Sequence, residues 1–183
     1  MTGVECVQRN DFMRIRSRTG LVIVMIAVVA LDQLTKLCVL NWLGYSQERI
    51  VIDGFFKFVH WGNTGAAWSL FRDHNSFLAL ISAVALVVLY ATRHHFHSGT
   101  NGGKIALGLL LGGIIGNLID RVARRHVIDF IYFYVYQRGG GEVGFPAFNV
   151  ADSAICVGVG LLFLFSWQKK ESPSPLSTSL EKR

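Results

Sequence analysis

Five aspartates lie in or beside strongly apolar stretches of this chain: Asp32, Asp120, Asp129, Asp152 and, in a loop nearby, Asp53. An ionised carboxylate in hydrocarbon is expensive, so membrane-embedded chains keep such residues mostly where they pair or work. Asp129 sits between Ile128 and Phe130, a partly apolar setting that disfavours its charge. Asp152 follows Asn149 at the start of an apolar run, where the positive end of a helix dipole favours the ionised form. If the two meet, repulsion stops both ionising and they share one proton. One can then act as base on a water while the other protonates or hydrogen-bonds a carbonyl. With no metal or nucleophile in view, activated water is the chemistry available.

The elements that must position these groups are membrane helices. The chain has 183 residues, is 51% hydrophobic and only 16% charged, against roughly 25% charged in soluble domains. Four apolar stretches approach spanning length, at residues 20–43, 75–91, 105–119 and 148–167. The second could begin earlier, in the segment Gly65-Ala66-Ala67-Trp68. None alternates strictly as a barrel strand does. The expected fold is an all-α membrane protein, a four-transmembrane-helix bundle forming one domain over residues 1–170. The first span looks retained, because Asp32-Gln33-Leu34-Thr35-Lys36 follows it where a signal peptide would carry a small-residue cleavage site. Residues 171–183, with Ser172-Pro173-Ser174-Pro175, read as a polar, disordered cytoplasmic tail. Residues 50–59 mix β-branched and aromatic residues around Asp53-Gly54, which predicts a small extracytoplasmic β-rich segment after the first helix.

Ten basic residues flank one side of these spans and seven the other, which places both termini in the cytoplasm. Asp32 then lies roughly 18 Å along the first helix, past the midplane of a ~30 Å core. The third helix also runs outward, so Asn117, Asp120 and Arg121 reach its outer end. The fourth runs inward, with Asn149 and Asp152 in its first turns. Asn63 precedes the second helix and Asp129 follows the third, both on the outer side. Span alternation alone therefore gathers these groups in the outer third of the bundle.

Several features have plainer readings. Asp32 and Lys36 share a helix face at i,i+4 spacing and can form an ion pair. Gly108, Gly112 and Gly116 make a small-residue stripe suited to helix packing. Asp120 beside Arg121 reads as a structural pair. Cys38 and Cys156 read as small buried hydrophobes and, with Cys6, form no disulfide framework. His94, His95 and His97 fall in a cytoplasmic turn without a metal-binding pattern, and neither a metal nor a cofactor is expected. Ser153 with Lys36 could form a Ser–Lys pair but carries no local signature. Trp42, Trp61, Trp68 and Trp167 lie near span ends and fit an interfacial belt. The net charge of +6 comes mostly from flanking residues, so no nucleic-acid partner is indicated.

The blocks Asp32-Gln-Leu-Thr-Lys36, Asn63-Thr-Gly-Ala-Ala-Trp68, Gly112-Gly-Ile-Ile-Gly-Asn-Leu-Ile-Asp-Arg121, Val127-Ile-Asp-Phe130 and Phe145-Pro-Ala-Phe-Asn-Val-Ala-Asp-Ser153 resemble, in order and spacing, the bacterial lipoprotein signal peptidase (signal peptidase II) family. The resemblance implies an intramembrane aspartyl endopeptidase of the cytoplasmic membrane, working as a monomer. Its substrates would be prolipoproteins bearing a diacylglyceryl cysteine, cut just before that cysteine, and globomycin its inhibitor. The resemblance makes Asp129 and Asp152 the catalytic pair. It places Asn63, Asn117, Arg121 and Asn149 at substrate-contacting or dyad-supporting positions, and Asp32, Lys36 and Asp120 in support of fold and site. Two details depart from the family pattern. The stretch from Arg138 to Gly144 is longer than usual, and Trp68 stands where phenylalanine is common.

Two rival readings come from other classes. A proton conductor would spread its acids through the membrane depth, whereas here they cluster at one side. An assembly factor binding partner helices through the glycine stripe would leave the settings of Asp129 and Asp152 unexplained.

Overall fold

The computed structural model describes residues 3–65, 70–96 and 100–168, with side chains from residue 19 onward. The chain order is α1 (Gly3–Trp42), β1 (Glu48–Ile52), β2 (Phe56–Asn63), α2 (Asn75–Ala91), a 3-10 turn (Arg93–His95), α3 (Asn101–Arg124), β3 (Val127–Tyr136), β4 (Glu142–Gly144) and α4 (Val150–Gln168). Among the described residues three helical stretches, Thr19–Trp42, Asn101–Arg124 and Val150–Trp167, are long and apolar enough to cross a membrane; α2 is apolar but only 17 residues long. The expected disordered tail at 171–183, His97, Trp68 and the proposed early start of the second helix lie outside the described residues. Just before α2, Phe71 and Asp73 have φ of 56° and 66°, so helix cannot run continuously into Asn75 from upstream.

Glycine determines why α3 sits between α1 and α4. A Cβ at Gly108 would stand 2.8 Å from Val24 Cβ, and one at Gly112 2.8 Å from Val28 Cβ, both on α1. Gly116 packs against the Asp32 carboxylate in the same way. The stripe read from the sequence is thus the α1 contact. A fourth glycine, Gly113, faces the other way and meets the Ala151 carbonyl of α4. Helix axes can approach this closely only where side chains are absent. Thr100 caps α3, its hydroxyl accepting from Gly103 N at 3.0 Å, and Arg125 ends it in the left-handed conformation with φ 68°.

At one end of the bundle, Leu21, Leu107 and Leu111 form an apolar core with Met25, Leu86 and Leu89. At the other, Val39, Leu43 and Phe130 pack with Phe58, Ile131 and Val150, seating a sheet on the helix ends. That sheet is antiparallel in the order β1-β2-β3-β4. The expected hairpin is β1–β2, and the strand-forming run Val127–Tyr136 joins it, bringing Asp129 opposite Trp61 and Val127 opposite Asn63. The register slips between Phe58 and Trp61, an irregularity of the kind that re-aims side chains beside functional sites.

Two expectations about packing need correction. Cys38 and Cys156 are exposed on α1 and α4 rather than buried. In a membrane helix both core-facing and outward-facing positions are apolar, so hydrophobicity does not tell them apart. Asp120 does not pair with Arg121, because adjacent residues diverge by about 100° around a helix. Its partners are Lys36, Arg124 and the backbone N–H of Ile128.

Candidate active site

Lys36 and the carboxylates of Asp32 and Asp120 are fully buried. The ammonium of Lys36 lies 2.9 Å from Asp32 Oδ2, 2.8 Å from Asp120 Oδ2 and 3.0 Å from Asn117 Oδ1, a three-donor group spent on three acceptors. Asp120 also accepts from Arg124 Nη1 at 2.7 Å and from the backbone N–H of Ile128 at 3.2 Å. The second bond ties the start of β3 to the end of α3, three residues after the helix-ending Arg125. Asp32 Oδ1 accepts from Ala151 N at 3.0 Å, so α1 satisfies a free donor at the start of α4. Gln33, to which the sequence assigned no role, lies within 3.2 Å of Asp32 Oδ2 and the Gly116 carbonyl and 3.3 Å of Asp120 Oδ1. Its polar side chain within an apolar helix was the available signal.

On this buried base stand the two remaining carboxylates. Asn149 and Asp152 form a reciprocal cap on α4: Asp152 N donates to Asn149 Oδ1 at 2.9 Å, and Asn149 N donates to Asp152 Oδ2 at 3.1 Å. Asn117 Nδ2 donates to Asp152 Oδ1 at 2.7 Å. Asp129 Oδ1 accepts from Asn149 Nδ2 at 2.9 Å, and its Oδ2 accepts from Asn63 Nδ2 at 2.9 Å. Asn149 is therefore bonded to both carboxylates, through its side-chain amide on one side and its backbone N–H on the other. Burial, and after it the Asp152 carboxylate, push the Asp129 carboxyl up to about 7, against the opposing pull of Asn63, Asn149 and Lys36.

Arg121 borders this cluster. Its Nη2 donates to the Gly65 carbonyl at 2.7 Å and its Nη1 lies 3.3 Å from Asn75 Oδ1, while Asn75 Nδ2 donates back to the Arg121 carbonyl at 2.9 Å. The guanidinium thus fastens the Asn63–Gly65 segment, and with it Asn63, beside Asp129. Asn75 was missed by sequence reading; its position just inside an apolar helix marks it in retrospect. Asn63 Oδ1 accepts from Gly65 N at 2.9 Å, which fixes the orientation of the amide that donates to Asp129.

All nine expected site residues therefore meet at the sheet end of the bundle. Asp53 stands apart in the β1–β2 turn, accepting from the Tyr136 hydroxyl at 2.7 Å. Ser153 donates to the Asn149 carbonyl at 3.0 Å and Lys36 is committed to its own acceptors, so they form no pair. The rings of His94 and His95 lie 3.9 Å apart at the opposite end of α3. Among the described residues, the core at that far end is apolar and no ladder of acids leads through the bundle.

The family described as Signal peptidase (SPase) II matches residues 24–168, a stretch that includes every one of these residues. A lipoprotein signal peptidase of Listeria monocytogenes is 39% identical over 143 residues, covering 78% of this chain and 90% of that protein. Those of Bacillus pumilus and Syntrophotalea carbinolica are each 40% identical, covering 78% and 81% of this chain and 88% and 91% of theirs. Two solved structures, both described as bacterial membrane enzymes, superpose with TM-scores of 0.74 and 0.67 at 28% and 30% identity. They cover 85% and 79% of this chain and 92% and 90% of their own. This membrane protein belongs to the signal peptidase II family and is a peptidase.

Proposed function

We propose that the protein is an intramembrane aspartyl endopeptidase in which Asp129 and Asp152 act together on one water molecule. The observation that carries this reading is the bridging of both carboxylates by Asn149, with Asp129 raised to about 7. A pair so placed retains one proton near neutral pH. The ionised member draws a proton from water as the water oxygen bonds to the scissile carbonyl carbon. The protonated member donates to the carbonyl oxygen. Collapse of the tetrahedral intermediate breaks the C–N bond, and a proton passes to the departing amine. Asn63, Asn117 and Asn149 hold the carboxylates in place, and Arg121 holds Asn63. Asp32, Lys36 and Asp120 fix the helix ends on which the site stands.

The substrate in this reading is a prolipoprotein whose cysteine already carries a diacylglyceryl group, cut just before that cysteine. Such a substrate is anchored in the bilayer, and its scissile bond lies at the interface the carboxylates occupy. In this arrangement α2 is the fourth span; at about 1.5 Å per residue it reaches roughly 26 Å, close to the thickness of a ~30 Å core. Both termini are then cytoplasmic, the site is extracytoplasmic, and the monomer sits in the bacterial cytoplasmic membrane.

Purified protein should cut a diacylglyceryl-modified prolipoprotein to a product beginning at the lipidated cysteine, with globomycin blocking the reaction. Asp129→Asn and Asp152→Asn should each insert normally and cleave nothing. Normal processing by either variant would refute the dyad.

A further inference from the structure

The sheet has two unlike faces. One carries Lys57, buried and ion-paired with Glu48 at 2.8 Å and Glu142 at 2.6 Å, and 4.7 Å from the Tyr134 ring centroid. Tyr136, paired in register with Glu142, shares that polar face. The other face is apolar. Over the helix ends its Phe58 and Ile131 pack on the cluster that Val39 and Leu43 of α1 form with Phe130. Beyond the helices it continues as Phe133, Val135, Val143 and Phe145, and Val135 remains 54% exposed and Val143 46% exposed.

A chain of ring contacts connects this overhang to the exterior of a span. It runs from Trp42 at the end of α1 to Phe58 at 5.8 Å, Phe56 at 5.0 Å, Phe133 at 5.2 Å, Phe148 at 6.1 Å and Phe145 at 5.9 Å. The helix-facing side of a sheet that projects past membrane-spanning helices looks onto the bilayer. Cations stand at its rim. Arg49, opposite Phe58 in register, lies 5.2 Å from the Trp42 ring centroid, and Arg138 sits in the β3–β4 turn. Arginine beside an interfacial tryptophan is suited to phosphate at headgroup depth.

We infer that the β3–β4 hairpin is a lipid-docking wing. Its apolar underside rests on the leaflet next to the site, and Arg49 and Arg138 engage anionic phospholipid headgroups. The Lys57–Glu142 ion pair, on the water side, fixes the roll of a hairpin whose turn contains Gly139, Gly140 and Gly141. The longer stretch after Arg138 thereby acquires a role, holding the carboxylates at a set depth. This inference rests on the placement of the helices across a bilayer and is independent of which residues do the chemistry.

The test uses full-length protein in nanodiscs of phosphatidylcholine with or without phosphatidylglycerol. A dansyl-bearing amino acid replaces Val135, Tyr136 or, as a reference within a span, the 58% exposed Ile26. Position 135 should be quenched by lipids brominated near the headgroup and be about threefold less accessible to aqueous iodide than position 136, as an amphipathic element in the interface requires. Omitting phosphatidylglycerol, or combining Arg49→Gln with Arg138→Gln, should raise iodide access at 135 about twofold. Bromolipid quenching at 26 without quenching at 135 overturns the wing, and its absence at both overturns the membrane placement itself. Shielding from iodide without bromolipid quenching means that protein covers the face, and also overturns the inference. An unchanged response to both lipid charge and the arginine substitutions removes the anionic headgroup from it.

Discussion

Replacing Asp129 with asparagine should make the protein more stable while abolishing its activity, and the gain should depend on pH in a defined direction. Burial and the Asp152 carboxylate raise the Asp129 carboxyl from 3.8 to about 7. Because this group is raised, its folded form binds the proton more tightly than its unfolded form. Its favourable contribution is complete below pH 3.8 and is lost progressively as pH rises towards 7. At about 1.4 kcal/mol per unit, the charged carboxylate costs the fold on the order of 4 kcal/mol above pH 7. Asparagine removes that charge but accepts at one oxygen only, so one of the donors, Asn63 or Asn149, loses its partner, at about 1–3 kcal/mol. The net gain is then about 1–3 kcal/mol at pH 8 and close to zero at pH 5. For a chain of this size each kcal/mol moves the unfolding midpoint by roughly 2–4 °C. Thermal unfolding of the detergent-solubilised protein, followed by tryptophan fluorescence at both pH values, measures this directly. A variant less stable than the parent by the same amount at pH 5 and pH 8 would show that the charged carboxylate is stabilised where it sits. The proton-sharing arrangement would then fail.

The buried ion cluster should behave in the opposite way. Lys36→Met leaves Asp32 and Asp120 without their shared cation, and unfolding should show a loss of about 3–5 kcal/mol. Gly113→Ala forces a methyl group onto the Ala151 carbonyl; unfolding should report about 1–3 kcal/mol of destabilisation from overpacking. Gly160→Ala in α4, with nothing within 4 Å, should instead gain up to about 1 kcal/mol from helix propensity. Asn149→Ala removes half of the α4 cap, worth about 1 kcal/mol, yet cleavage should fall far more than that stability loss accounts for, since it also takes the Nδ2 donor from Asp129 while Asp152 keeps the backbone N–H. Arg121→Gln takes a positive charge from beside the carboxylate pair, so the pH–rate profile should move up by about one unit; an unmoved profile would assign Arg121 to loop anchoring alone.

Much of this site could be read from the chain because charged and amide residues stand out against apolar sequence. Asp32 and Lys36 were joined correctly by i,i+4 spacing, and alternation of spans brought Asn63, Asp129 and Asp152 to one end. The same spacing rule pointed from Asp120 to Arg124, which is its partner; proximity in sequence suggested Arg121 instead. That Lys36 also holds Asp120 depends on how closely α1 and α3 approach, which the glycines permit but do not specify. The β3 strand escaped notice because Val127-Ile-Asp-Phe-Ile-Tyr-Phe-Tyr-Val-Tyr136 lacks strict alternation, and its pairing with β2 is a long-range matter. Gln33 and Asn75 were passed over because Gln33 stands inside the Asp32–Lys36 pair that already accounted for that helix face, and Asn75 opens α2, where an amide is ordinary. The outward orientation of Cys38 and Cys156 was beyond reach, since lipid-facing and core-facing positions are both apolar.

The charges around the site bear on the proposed sharing of one proton by Asp129 and Asp152. Asp32 and Asp120 bring two carboxylates, each meeting Lys36 and a backbone N–H. Lys36, Arg124 and Arg121 bring three positive charges, with Arg121 in the field of Asp120, Asp129 and Asp152. Neutrality therefore leaves room for one negative charge on Asp129 and Asp152 together. Two would strand an uncompensated anion in a low-dielectric interior, and none would leave a cation without its counter-charge. On this view Asp32, Lys36 and Asp120 do more than join α1 to α3. In the proposed mechanism they set the electrostatic background in which the pair keeps a single proton, as acid–base work on water requires. The same cluster ties β3 to α3 through Ile128 and α1 to α4 through Ala151. The network proposed to set the charge state of the carboxylates therefore also fixes their positions.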